Sequence, residues 1–162
     1  MENELRILHL LEHDAKISAQ SIAVMLGLEE EIVLKTIEKL EQEKVILGYG
    51  TIINWDRYGE NGVTAMIDVK ITPEREVGFN DIAKRICRFP EVKSVSLMSG
   101  TYDLSIVIAG NDLREVARFI SHKLSALDRV QSTTTHFILK SYKQEGFIFE
   151  EPYEDKRLVV SP

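Results

Sequence analysis

The sequence predicts an α+β chain of two domains, a helical headpiece followed by a sheet domain of the order β-α-β-β-α-β. Three observations carry this. Apolar residues recur at helical intervals from Leu5 to Leu40. From Val63 onward several stretches alternate apolar and polar residues, the period of a strand. Between them, residues 54–62 (Asn-Trp-Asp-Arg-Tyr-Gly-Glu-Asn-Gly) have the composition of a loop. The expected divisions are a headpiece over residues 1–53, a linker over 54–62, a sheet domain over 63–140 and a C-terminal extension over 141–162.

The headpiece reads as three helices. Leu5, Leu8 and Leu11, with Ile7 beside them, predict a helix over residues 2–12. Ser18 stands where an N-cap is needed, and Ile22, Met25 and Leu26 give the following helix an apolar face. Gly27 ends it, because glycine tolerates a left-handed backbone. Residues 29–43 form the third helix, with Val33, Ile37 and Leu40 in register. Two helices joined by a short glycine-containing turn make the helix-turn-helix pattern. Residues 45–53, apolar and punctuated by Gly48 and Gly50, suit a short wing strand, so the headpiece is expected to be a winged helix-turn-helix.

In the second half, Val63, Ala65, Ile67, Val69 and Ile71 predict a strand closed by Pro73. Phe79, Ile82, Ala83 and Ile86 predict a helix stopped before Pro90. Residues 92–98 and 102–109 read as a hairpin around a tight turn, Ser99-Gly100-Thr101. Leu113, Val116, Ala117, Ile120 and Leu124 place one face of a second helix, and residues 130–140 a fourth strand. This order is the ferredoxin-like arrangement, an antiparallel sheet with two helices on one face. The other face must be wet or covered, and a second copy of the same sheet is the natural cover. A homodimer is expected on that ground. In the extension, Phe147, Ile148 and Phe149 are apolar enough to dock, Glu150, Glu151, Glu154 and Asp155 are acidic, and the last residues are expected to be mobile.

Composition excludes several classes. Apolar residues make up 44% of the 162 and charged residues 28%, as in ordinary soluble proteins. No apolar run approaches the roughly 18 residues of a membrane span, and the acidic opening Met1-Glu2-Asn3-Glu4 is not that of a secretory signal. A cytoplasmic protein without membrane association is expected. The single cysteine, Cys87, forms no internal disulfide and reads as a small core residue. His9 and His13 are spaced to share a helix face, but no third ligand stands near them in sequence. There is no nucleophile–base pair, no metal-ligand spacing and no phosphate loop, so neither enzymatic activity nor a cofactor is expected.

Several segments taken in order resemble the Lrp/AsnC (feast/famine) family. Residues 4–18, Glu-Leu-Arg-Ile-Leu-His-Leu-Leu-Glu-His-Asp-Ala-Lys-Ile-Ser, are similar to that family's first helix and turn. Ile22-Ala23 and Gly27-Leu28 stand where its second helix and turn stand. Lys39-Leu40-Glu41 and Val45-Ile46-Leu47-Gly48-Tyr49 resemble the end of its recognition helix and its wing. Phe89-Pro90-Glu91-Val92 and Ser99-Gly100-Thr101-Tyr102-Asp103 resemble its Gly-x-x-Asp turn and the approach to it, and Thr133-Thr134-Thr135-His136-Phe137 its last strand. The resemblance covers roughly residues 2–145. It implies binding of double-stranded DNA by dimers, further assembly to tetramers or octamers, and control by a small effector, usually an amino acid. Siroheme decarboxylases resemble the same family, but the His and Arg set expected around their tetrapyrrole cleft is not seen here.

A recognition helix offers its N-terminal residues to base edges and basic side chains to phosphates. The candidates for DNA contact are Gln20 and Ser21 on the second helix, Lys35, Thr36 and Lys39 on the third, and Lys44 near the wing. Against them stand Glu29, Glu30 and Glu31, and Glu29 and Thr36 replace the family's usual Ser and Arg. The chain carries a net charge of −6, and residues 1–50 hold five basic and ten acidic side chains. Phosphate neutralisation normally dominates affinity, so weak binding per headpiece is expected. The resemblance places an effector at Gly100 and Asp103, whose carboxylate suits an ammonium group, with Met98, Tyr102, Leu113, Thr133, Thr135 and His136 around it. An amino-acid sensor acting through protein partners, with weak or no DNA binding, is the alternative.

Overall fold

The computed structural model describes residues 2–60, 62–72 and 79–149, and the chain divides into two compact units, Met1–Ile52 and Ile53–Pro162. Among the described residues no helix is long and apolar enough to cross a membrane.

The first unit holds three helices, α1 (Glu2–His13), α2 (Ala19–Leu26) and α3 (Glu30–Gln42). They close on Ile7, Ile22, Ala23 and Val33, with Leu10, Leu11, Leu26 and Ile37 packed alongside. Ile7 takes the inward position on α1, which leaves Leu5 exposed, and Ala23 takes the place expected for Met25, which is also exposed. Ser18 caps α2, its Oγ accepting from the Ser21 N–H at 3.0 Å, and Gly27 terminates it with φ 67°. Glu29 is the N-cap of α3 and makes no side-chain cap bond. Glu30 and Glu31 in the first turn still favour the positive end of the helix dipole. Lys44 adopts a left-handed φ of 59° beyond α3. Residues 47–54 are not in strand conformation, so the headpiece is a helix-turn-helix without the expected wing strand. A strand needs a partner for its amides, and among the described residues none pairs with this stretch.

The second unit opens with a single helical turn, α4 (Trp55–Tyr58), inside the stretch whose composition suggested a loop. Asn54 caps it, accepting from the Arg57 N–H at 3.0 Å, and Gly59 ends it with φ 94°. Then follow β1 (Val63–Ile71), α5 (Asn80–Ile86), β2 (Val92–Leu97), β3 (Leu104–Gly110), α6 (Leu113–Arg118) running on as a π-wound segment (Phe119–Leu124), and β4 (Val130–Ile138). Pro73, expected to close the first strand, lies outside the described residues. The sheet order is β2-β3-β1-β4, all antiparallel, with β1 and β3 central.

Alternation on β1 decides which face is buried. Ala65, Ile67, Val69 and Ile71 point to the helices, and all are essentially inaccessible. Leu104, Ile106 and Ile108 of β3 lie in register on the same face and meet Ile82 and Ile86 of α5 and Val116 of α6. The second helix departs from the expected apolar stripe: Phe119 and Leu124 are buried, Ala117 is exposed and Ile120 is half-buried. Phe119 and Leu124 are five residues apart, the i→i+5 spacing of π winding, which turns both inward. Cys87 is exposed, not a core residue, because Ile82 and Ile86 hold the inward positions of α5 and the next residue rotates outward.

Beyond β4 the chain forms a small hairpin, β5 (Lys143–Gln144) and β6 (Phe147–Ile148), turning through Glu145 (φ 46°) and Gly146 (φ 87°). Phe147 and Ile148 are exposed, and Asn54 Nδ2 donates to the Phe149 carbonyl at 3.2 Å. Glu150, Glu151, Glu154 and Asp155 lie outside the described residues.

The uncapped start of α3 gives a direct test. Glu29→Ser supplies the missing acceptor and is expected to stabilise the headpiece by about 0.5–1 kcal/mol, read as a higher melting temperature and slower amide exchange in the first turn of α3.

Candidate functional site

The side chains expected to meet DNA are largely occupied within the headpiece. Ser21 Oγ lies 2.8 Å from Ser18 Oγ, completing the cap of α2. Thr36 Oγ1 donates to the Ile32 carbonyl one turn back at 2.7 Å. Lys35 Nζ donates to Glu31 at 2.6 Å, and Lys39 Nζ donates to Glu4 of α1 at 2.7 Å, with Glu43 at 4.0 Å. The Lys39 pair holds the Glu4 carboxyl below its ordinary pKa and raises that of Lys39. Gln20 and Lys44 are exposed. The Tyr49 hydroxyl donates to Glu41 at 2.7 Å, a bond that raises the tyrosine's pKa.

In the second unit the residues expected around an effector do not line one surface of a single chain. Met98, Gly100, Tyr102 and Asp103 form the β2–β3 connection, closed by a bond from the Met98 N–H to the Asp103 carbonyl at 2.8 Å. It spans residues 98–103 and is wider than the expected tight turn. Leu113 begins α6 beyond Gly110, at the opposite end of β3, roughly 20 Å away at the rise of an extended strand. The β4 residues divide by alternation. Thr133 and Thr135 pair with Val69 and Ile67 and so share the helix-covered face. His136 pairs with Met66 and lies on the opposite face.

That opposite face carries a polar cluster only partly legible in sequence. Tyr102 Oη lies 2.7 Å from Thr134 Oγ1. His136 Nε2 lies 3.3 Å from Asp68 Oδ2. Thr134 and Asp68 were not singled out, and the signal that finds them is the strand register, which pairs them directly across β1 and β4.

Asp103 is built into the frame of the sheet. Its Oδ2 accepts from the Ile71 N–H at 2.8 Å, and Oδ1 lies 3.3 Å from Lys70 Nζ. Its own N–H donates to the Val69 carbonyl at 3.0 Å. The Ile71 amide, opposed by burial and helped by Lys70, holds the carboxyl below its usual pKa. Gly100 has open space where a side chain would sit and a nearly extended φ of 159°. A separate cleft lies between α5 and the loop before β4, lined by Thr72, Asp81, Ile82, Arg85, Leu127, Asp128 and Arg129. None of the expected effector residues lines it.

A helix-turn-helix unit followed by a one-sided βαββαβ sheet defines a DNA-binding regulator with a ligand-binding domain. Residues 4–41 match the AsnC-type helix-turn-helix domain, and residues 64–148 match the Lrp/AsnC ligand binding domain. The chain is 56% identical over 162 residues to YugG, an HTH-type transcriptional regulator from Bacillus subtilis, covering 99% of this chain and 98% of that one. It therefore belongs to the Lrp/AsnC family of transcriptional regulators, which are not enzymes. Solved structures share the fold, among them these two. The leucine response regulatory protein of Mycobacterium tuberculosis superposes with a TM-score of 0.74 at 17% identity, over 93% of this chain and 99% of that one. A Neisseria meningitidis regulator (NMB0573), solved as its L-Met complex, gives 0.70 at 20% identity, over 89% and 92%.

The Asp103 contacts predict two separable effects. Asp103→Ala leaves the Ile71 N–H without its acceptor and is expected to cost about 1–2 kcal/mol in chemical denaturation. Asp103→Asn keeps an acceptor and removes the charge. Because the folded carboxyl titrates below 3.8, its contribution is present above that value and is lost as pH falls through the folded pKa. Asp103→Asn should therefore lower stability at neutral pH, where the ionised carboxyl contributes, and flatten the acid limb so that the variant and the wild type converge as pH falls through the folded pKa.

Proposed function

We propose that this protein is a sequence-specific DNA-binding transcriptional regulator, working in the cytoplasm, whose assembly or DNA affinity is modulated by an amino acid. The observation that carries the reading is the match of two ordered units, a helix-turn-helix and a ligand-binding domain, to one regulator family. The L-Met complex of the structurally similar Neisseria regulator supports an amino acid as the class of effector.

Assembly belongs to the same reading. Met66, Asp68, Val107 and His136 lie on the face of the sheet opposite the one on which α5 and α6 pack. A second copy of the sheet, giving a homodimer, is the cover that the one-sided architecture favours. Further assembly to tetramers or octamers would bring the β2–β3 connection of one copy near another's Leu113, residues that a single chain holds apart. On this reading Gly100, Tyr102 and Asp103 supply backbone and carboxylate groups to the effector, and Gln20, Ser21, Lys35, Thr36, Lys39 and Lys44 face DNA.

The alternative, a sensor acting through protein partners, draws on the acidic headpiece. The two readings share the ligand site and differ in what the headpiece touches.

A thermal-shift screen of the twenty amino acids tests the sensing half. One or a few should raise the melting temperature, with about 2.7 kcal/mol of added stability at a hundredfold excess over the dissociation constant. Asp103→Asn should abolish the shift while the protein stays folded, and a shift retained in that variant removes Asp103 from the site. Gel retardation of genomic fragments at low salt tests the other half: no retardation of any fragment, with a ligand shift intact, favours the protein-partner alternative.

A further inference from the structure

We infer that Glu4 and Glu31 hold the two recognition-helix lysines in an internal charge mask, which sets the DNA affinity of a single headpiece low. The inference rests on the proposal that this face of α3 meets DNA and concerns how tightly it does so. Lys35 and Lys39 lie one turn apart on α3, so they share a side of the helix. Each already has a carboxylate within hydrogen-bond distance: Glu31 at 2.6 Å and Glu4 at 2.7 Å. The two masks differ in kind. Glu31 lies on α3 itself and pairs at i,i+4. Glu4 comes from α1, and its side chain is the less exposed partner, 28% against 53% for Lys39. Its position is set by the packing of Ile7, three residues along the same helix, into the headpiece core.

A phosphate approaching either lysine must replace a carboxylate. The exchange loses one ion pair to gain another, and it leaves the displaced carboxylate beside a polyanion. A lysine already neutralised by its own protein also adds little counterion release on binding, which is the main source of affinity for B-DNA. Glu4 is held in its ionised form by Lys39, so the mask persists at neutral pH. The consequence is a threshold. One headpiece binds weakly, and occupancy depends on several headpieces held together, where effective concentration multiplies weak contacts.

The test uses the full-length protein and a fluorescent mixed-sequence duplex several helical turns long, titrated at a series of salt concentrations. Glu4→Gln should tighten binding roughly threefold to fivefold at low salt, the scale of one screened charge contact. It should also steepen the salt dependence by about 0.9 in the log–log slope for the lysine released. Glu31→Gln should act in the same direction without disturbing the α1–α3 contact, and the double variant should exceed either. Glu12→Gln removes the same charge from α1, beside His9 and away from both lysines, and should change affinity less than twofold. In a Lys39→Gln background the gain from Glu4→Gln should vanish. An equal gain from Glu12→Gln, or a gain that survives the loss of Lys39, overturns the mask and leaves DNA binding standing. Failure of the wild type and every variant to bind at low salt overturns the DNA reading itself. Binding that appears only in the double variant supports the mask.

Discussion

The second unit depends on a sheet covered on one side only, and on β1 as the strand that decides which side. Ala65, Ile67, Val69 and Ile71 are inaccessible while Met66 between them is exposed. A slip of one residue would move this whole set to the open face. The register is held from both sides, by β3 and by β4, and at the end of β1 by Asp103, which closes on the Val69 carbonyl and the Ile71 amide. The helices then have one surface on which to pack. The π-wound turn at Phe119–Leu124 is the adjustment that lets the second helix keep large side chains on it.

The headpiece solves a different problem with fewer resources. Its core is small, centred on Ile7, Ile22, Ala23 and Val33, and much of its definition comes from termini: the Ser18 cap, the left-handed Gly27 and the bond from α1 to α3 between Glu4 and Lys39. That last bond joins stability to electrostatics. The lysine that helps fix the helix pair is also one of few positive charges on a headpiece with twice as many acids as bases. Structural pairing and phosphate contact therefore compete for one ammonium group.

Much of the architecture was legible in the sequence because period carries it. The alternation on β1 and the spacing of Val33, Ile37 and Leu40 name their buried faces directly. What escaped depends on something other than period. π winding changes the phase within a helix, so Ala117, inward by helical period, is exposed and Phe119 is buried. A strand over residues 45–53 would need a partner that the described chain does not supply. The site was legible by type and less so by place. Asp103 and Gly100 stand out as residues, yet only the register shows that Thr133 and Thr135 face the helices while Thr134 and His136 face away. Only the run of β3 separates Leu113 from the turn.

The attachment of Asp103 has a mechanical meaning. A hairpin turn is ordinarily the softest part of a sheet, free to flap without disturbing the strands behind it. Here the turn is fastened past its own strand to the end of the central one, through the Val69 carbonyl, the Ile71 amide and Lys70. Anything that pulls on the turn pulls on β1, and β1 is bonded to strands on both sides. The connection behaves less like a loop than like the handle of a stiff plate.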